Sequence, residues 1–181
     1  MAESLESRAA RVKLMVFDVD GVMTDGGLYY GPHGELFKRF DVKDGHALVL
    51  ARLTGLPAAI LTARTSEIVA VRGAELKLAK VMQGKKDKGP ALLELCAELN
   101  VEPDACSYMG DDVNDLAPLH RVALAACPAD AAPEVRAMAH LVTNARGGYG
   151  AVRELCELVL KATGRWSKAL ELLGAGALQP L

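Results

Sequence analysis

Aromatic residues are scarce: three Phe, four Tyr and one Trp make up 4% of a chain that is 51% hydrophobic, so its core has to be built from Ala, Leu and Val. No excess of either charge is present. The 21 Lys and Arg stand against 23 Asp and Glu, a net charge of −2, which excludes the basic surface that binding to nucleic acid requires. There is no apolar run near the roughly 18 residues that cross a bilayer, and the opening MAESLESRAARVK carries charges where a secretory leader has its apolar stretch. A cytoplasmic protein with no membrane partner is expected. Four cysteines, Cys96, Cys106, Cys127 and Cys156, form no C-x-x-C pair and are expected to be reduced thiols without a metal role. Repeats, low-complexity tracts and linkers are also missing, so residues 1–181 are expected to form one domain.

What is present is a regular alternation of short apolar runs with longer helical patterns, the mark of βαβ units around a parallel sheet. Leu14 to Phe17, Ala58 to Leu61, Ala105 to Met109, Val122 to Ala126 and Leu141 to Thr143 read as buried strands. Helices are expected over His46 to Thr54, Ser66 to Lys77, Lys88 to Leu99, Asn114 to Leu119, Ala131 to Ala139 and Ala151 to Ala162. The fold class is therefore α/β, a Rossmann-like doubly wound parallel sheet. Leu28 to Tyr30 and Glu35 to Phe40, joined through Gly31-Pro32-His33-Gly34, interrupt the alternation as a hairpin flap within about residues 26–41. A C-terminal helix and apolar tail fill about residues 150–181.

In an open parallel sheet the loops after the strands converge on one crevice, so the residues that follow each strand are the test of chemistry. The first strand is followed by Asp18-Val19-Asp20-Gly21, the second by Thr62-Ala63-Arg64, a later one by the lysine run ending in Lys88, and the Tyr108 strand by Gly110-Asp111-Asp112-Val113-Asn114-Asp115. Carboxylates crowded together repel unless a cation neutralises them. With oxygen ligands and no His or Cys cluster, Mg²⁺ suits the set better than Zn²⁺, and a lysine and a hydroxyl beside it suit a phosphoryl group. Calcium in an EF-hand is excluded because Met23 and Tyr29 stand where that loop needs Gly and Glu. A P-loop is excluded because Gly84-Lys85-Lys86 lacks both the upstream Gly and the hydroxyl. A receiver domain would carry its acidic pair before the acceptor Asp, whereas Asp111-Asp112 comes long after Asp18.

Four motifs in order, D-x-D, Thr, Lys and G-D-D-x-x-D, resemble those of the haloacid dehalogenase superfamily of phosphohydrolases. Gly34 to Gly45, reading GELFKRFDVKDG, and Gly147 to Glu154, reading GGYGAVRE, are similar to the capless 3-deoxy-D-manno-octulosonate 8-phosphate phosphatase branch across nearly the whole chain. The pattern departs at Val49, Ala63 and Tyr149, where the branch often has Arg or Lys, Gly, and a basic residue. These are positions where substrate would be read.

The resemblance implies a catalytic pair, with Asp18 as nucleophile and Asp20 as general acid and base, and Thr62 and Lys88 on the phosphoryl oxygens. It implies Mg²⁺ held by Asp18, Asp20 and Asp111, with Asp112 and Asp115 capping the next helix and orienting Lys88. Asp41, Lys43, Asp44, Gly45, Arg64 and Arg72 are the implied substrate contacts, while His46 reads as a polar residue at a helix start. The partner implied is an acid-sugar phosphate, hydrolysed by a homotetramer whose hairpin and tail reach a neighbouring site. Two other readings stand beside it: a phosphatase for a nine-carbon sialic-type acid 9-phosphate, and a non-catalytic oligomerisation module.

Overall fold

A computed structural model describes residues 3–174. The strands, in chain order, are β1 (Leu14–Phe17), β2 (Tyr29–Gly31), β3 (Gly34–Phe37), β4 (Ala58–Leu61), β5 (Lys80–Met82), β6 (Cys106–Met109), β7 (Leu124–Cys127) and β8 (Leu141–Val142). Six of them form a parallel sheet in the order β5-β4-β1-β6-β7-β8, and β2 pairs with β3 as a separate antiparallel hairpin. The helices are α1 (Leu5–Ala10), α2 (Val42–Leu53), α3 (Glu67–Leu76), α4 (Lys88–Leu99), α5 (Leu116–Leu119), α6 (Pro133–Met138), α7 (Ala151–Ala162) and α8 (Trp166–Leu172).

Both faces of the sheet are covered, which is why its inner strands read as unbroken apolar runs rather than alternating ones. Met15, Phe17, Ala58, Ile60, Leu124 and Ala126 point to one side, against α2 and α7, with Ala9 of α1 and Ala169 of α8 in the same cluster. Leu14, Val16, Ala59, Leu61, Tyr108 and Ala125 point to the other, against α4, α5 and α6. From β1 the chain winds outward through β4 to β5, then returns to the other side of β1 as β6. The switch point therefore lies between β1 and β6, where open α/β sheets leave a crevice. The Asp18 amide donates to the Met109 carbonyl across it at 3.0 Å.

The departures from the sequence reading are local. α2 starts at Val42 rather than His46, because Asp41 caps it: its side chain accepts from the Lys43 and Asp44 amides at 2.7 and 3.4 Å. β7 begins and ends later than the Val122 to Ala126 run. α1 was not anticipated; it is six residues long with one buried side chain, Ala9, too short to show a period, and Ser4 caps it. The hairpin is shorter than expected, and Tyr29 stacks on Phe37 with ring centroids 4.3 Å apart. All four cysteines are buried and free. The end of the expected C-terminal tail, residues 175–181, lies outside the described residues.

One contact joins α2 to α7. Gly150 begins α7 without a side chain to cap it, and the buried Asp44 carboxylate reaches across to accept from the Arg153 amide at 2.7 Å and the Gly150 amide at 3.3 Å. Burial pushes this carboxyl up to about 6 despite those donors. A folded-state value above the unfolded one means that the native state holds more protons between about pH 4 and pH 6, so this group's share of stability falls as pH rises through that window. We expect Asp44→Ala to lower stability by about 1–2 kcal/mol through the lost cap. Asp44→Asn should instead flatten the decline between pH 4 and pH 6 (both approximate bounds of that window), read from urea midpoints at its two ends.

Candidate active site

Asp18 directly follows β1 at the floor of a crevice of about 220 Å³, lined also by Asp20, Gly21, Gly26, Thr62, Ala63, Arg64, Asp111, Asp112 and Asn114. Its Oδ1 accepts from the Val19 amide at 2.7 Å, and its Oδ2 meets Lys88 Nζ at 2.5 Å. The Lys88 side chain is wholly buried and turns its other side to Asp115 Oδ1 at 2.6 Å. Burial alone would lower the lysine's pKa, but the charges of Asp18 and Asp115 outweigh it and hold the ammonium above its ordinary range. Lys85, from the same run, instead pairs with Glu94 on the surface.

Asp115 is fully buried and its four near donors use both oxygens: Lys88 and the Tyr108 hydroxyl, each at 2.6 Å, on Oδ1, and the Asp111 and Asp112 amides at 3.0 and 3.4 Å on Oδ2. Asp112 caps the short 3₁₀ turn Val113–Asp115, its side chain accepting from the Val113 amide at 2.8 Å. Asp18, Asp111 and Asp115 all bring a carboxylate oxygen within 4.8 Å of one another. Since Asp115 is already saturated with donors, Asp18 and Asp111 are the two with oxygens left to offer a cation. Burial first, then the charge of Asp115, pushes Asp18 up to about 6, with Lys88 opposing. Burial, Asp115 and Asp18 push Asp111 up to about 7.

The D-x-D-G loop requires its glycine. Gly21 has φ +81°, and a Cβ there would lie 2.0 Å from Asp111 Oδ2. The C-terminal G-G-x-G turn presses on the same loop: the Gly148 amide donates to the Val22 carbonyl at 2.9 Å, and a Cβ on Gly147 would lie 1.8 Å from the Gly21 carbonyl oxygen. Tyr149, one of the departures noted above, has the Arg39 guanidinium over its ring at 4.0 Å.

The hairpin forms the rim. Lys38 Nζ bonds the Asp20 carboxylate and reaches Glu35 at 2.9 Å, Glu35 accepts from the Ser66 hydroxyl, and Arg64 donates to the Tyr30 hydroxyl at 2.7 Å. Sequence reasoning passed over Lys38, Glu35 and Tyr108, although Glu35 and Lys38 stand in the G-E-x-x-K string on which the resemblance was based.

Asp18, Asp20, Thr62, Lys88, Asp111, Asp112, Asp115 and Arg64 thus come together, but five expected substrate contacts do not join them in this chain. Asp41 and Asp44 are occupied as helix caps, and Lys43 is exposed in the first turn of α2. Gly45 lies against Arg72, whose Nη2 would be 2.2 Å from a Cβ placed there. Arg72 pairs with Glu75 and lines a separate groove with Phe40, Val42, Ile68 and Val71. Within one chain these five lie at a helix start or in packing positions, away from its own crevice.

Fold and site together define an α/β protein with an acidic crevice at its switch point. The chain belongs to the haloacid dehalogenase-like hydrolases, whose family model matches residues 56–154. It is 40% identical over 162 residues to the 3-deoxy-D-manno-octulosonate 8-phosphate phosphatase of Yersinia pestis, a match covering 90% of this chain and 87% of that protein. The crystal structure of that phosphatase from Yersinia pestis aligns with a TM-score of 0.87 at 39% identity, covering 91% of this chain and 89% of the other. The phosphatase of the same name from Moraxella catarrhalis, in complex with magnesium ion, phosphate ion and KDO, aligns with a TM-score of 0.90 at 35% identity, over 93% and 97% of the two chains. The capless α/β architecture read from the sequence is the one observed.

Because Asp18 and Asp111 hold protons more tightly in the folded than in the unfolded state, both make the metal-free protein less stable as pH rises from about 4 to about 7. We expect Asp111→Asn to melt higher than the wild type near pH 8 and at about the same temperature near pH 4 without divalent cations. Parallel thermal melts at the two pH values check it.

Proposed function

We propose that this chain is a Mg²⁺-dependent phosphomonoesterase for an acid-sugar phosphate, with 3-deoxy-D-manno-octulosonate 8-phosphate as the favoured substrate. The observation that carries the reaction type is the charge frame around Asp18: a carboxylate at the crevice floor, one oxygen tied to a buried ammonium, beside a second carboxylate with oxygens to spare. The substrate comes by likeness to the Yersinia and Moraxella phosphatases.

The donor set fits Mg²⁺. Two carboxylates whose protons are held up to about 6 and about 7 by burial and by the nearby charge of Asp115 are a pair that a hard dication would relieve. Asp18, Asp111 and the Asp20 main-chain carbonyl would hold it. When bound, the ion offsets the repulsion between the phosphoryl group and the Asp18 carboxylate.

Asp18 attacks phosphorus, the bond from phosphorus to the ester oxygen breaks, and Asp20 delivers its proton to the departing alkoxide. Asp20, now a carboxylate, takes a proton from a water that attacks phosphorus of the aspartyl-phosphate, releasing inorganic phosphate and restoring Asp18 and the Asp20 acid. Thr62, nearly buried in the crevice wall, and Lys88, behind Asp18, balance charge on the phosphoryl oxygens. No organic cofactor enters.

A homotetramer is part of the proposal. Leu36, Phe37 and Val42 are exposed around the hairpin and the start of α2, and Arg72 opens into an apolar groove. Lys43, Gly45 and Arg72 would then meet substrate in a neighbour's crevice rather than their own. No described helix is long and apolar enough to cross a membrane, and the proposed compartment is the cytoplasm. The departures at Val49, Ala63 and Tyr149 keep a nine-carbon acid 9-phosphate as the second reading, whereas a non-catalytic module is disfavoured by the complete set of acids.

Three outcomes test this reading. Asp18→Asn should fold as the wild type and retain no more than about 1% of its turnover, because an amide cannot act as the nucleophile; steady-state assays decide it. Activity should vanish with a chelator and return with Mg²⁺ added back. In a panel of acid-sugar phosphates assayed with Mg²⁺, 3-deoxy-D-manno-octulosonate 8-phosphate should give the highest kcat/KM, and a higher value for the nine-carbon phosphate would replace it as the substrate.

A further inference from the structure

We propose that Lys38 is a positioning residue for Asp20, so that the hairpin, through this one side chain, sets how well the leaving group is protonated. The inference rests on the reading of Asp20 as general acid given above.

Asp18 and Asp20 are held in different ways. The Asp18 carboxylate is fixed within the sheet end by its neighbour's amide and by Lys88. The Asp20 carboxylate, at the rim, has its partners on two other segments: Lys38 on Oδ1 and Arg64 Nε, 3.6 Å from Oδ2. Arg64 is 40% exposed and its guanidinium is shared with the Tyr30 hydroxyl, so its grip is loose and screened by solvent. Lys38 is the opposite case. Its side chain is 1% exposed, and its ammonium is anchored a second time by Glu35 at 2.9 Å.

That anchor is itself braced. Glu35 accepts from the Ser66 hydroxyl, and the Ser66 amide donates to Gln83 Oε1 at 2.8 Å at the entry to α3. The hairpin, the end of β4's loop and the D-x-D-G loop are thus tied through one dry ammonium. Lys38 does not line the crevice, so it has no place against the substrate; what it can do is fix the direction of the Asp20 carboxyl. A general acid works only within hydrogen-bond reach of the oxygen it protonates, and small misplacements of a catalytic group are expensive in rate.

The signature of such a role is leaving-group dependence. An alkoxide needs protonation to depart and a 4-nitrophenolate does not, so a misdirected Asp20 should harm alkyl phosphates selectively. The ratio of kcat/KM for a simple alkyl phosphate, ethyl phosphate, to that for 4-nitrophenyl phosphate isolates this effect, because neither carries a sugar for remote contacts to grip and kcat/KM reports the steps up to departure of the leaving group. For Lys38→Met, an uncharged side chain of similar length, we expect that ratio to fall on the order of 10-fold or more, in the same direction as for Asp20→Asn. Lys38→Arg should recover most of it. A structural role alone would lower both substrates together and leave the ratio unchanged.

If Asp20→Asn lowers the ratio and Lys38→Met does not, the positioning role is overturned while the reading of Asp20 stands. If Asp20→Asn leaves the ratio unchanged, the general-acid reading falls and takes this inference with it. Should Lys38→Met fail to fold by circular dichroism, Glu35→Gln, which loosens the same ammonium, is put to the same ratio: a fall supports the role and an unchanged ratio overturns it.

Discussion

The buried ammonium of Lys88, clamped between Asp18 and Asp115, is the interaction on which the site depends. Taking a lysine out of water costs several kcal/mol, and this one starts α4, where the positive end of the helix dipole repels it further. Only the two carboxylates, at 2.5 and 2.6 Å, offset that, and replacing the lysine would leave two buried carboxylates facing each other without a cation, at a cost of about 3–5 kcal/mol. The arrangement is poor economy for stability alone. It makes sense as a preset electrostatic field: a positive charge fixed beside the carboxylate proposed as the nucleophile, with no reorganisation needed when charge develops.

Everything around that clamp serves to hold its three members in register. β1 and β6 are hydrogen-bonded neighbours, so Asp18 and Asp111 emerge side by side, and the loop after Asp111 folds back until Asp115 reaches under it. Tyr108, the largest fully buried side chain, both fills the space beneath the sheet and directs its hydroxyl at Asp115. Packing and electrostatics are therefore not separable here: the core residue and the residue that orients the lysine's partner are hydrogen-bonded to each other.

A crevice without a cap domain must find its walls elsewhere. The hairpin closes part of the rim from within the same chain, tying Asp20, Arg64 and Ser66 to Lys38, Tyr30 and Glu35, while leaving Leu36 and Phe37 exposed.

Strand runs such as Leu14 to Phe17 and Ala58 to Leu61 were legible in the sequence, because a parallel strand buried on both faces has to be continuously apolar. The residues after those strands were legible for a related reason: backbone topology alone delivers strand ends to one crevice, so Asp18, Thr62, Lys88 and Asp111 needed no knowledge of packing. Boundaries set by capping were less visible, since Asp41 looks the same in sequence whether it caps a helix or meets a ligand. Decided only by the tertiary structure were the long-range pairings: Asp44 on the start of α7, 106 and 109 residues away, and Lys38 on Asp20 rather than in solvent. Local sequence carries propensity and period, but a buried polar group finds whichever donor the finished fold brings within reach, and that is settled by the packing of segments distant in the chain.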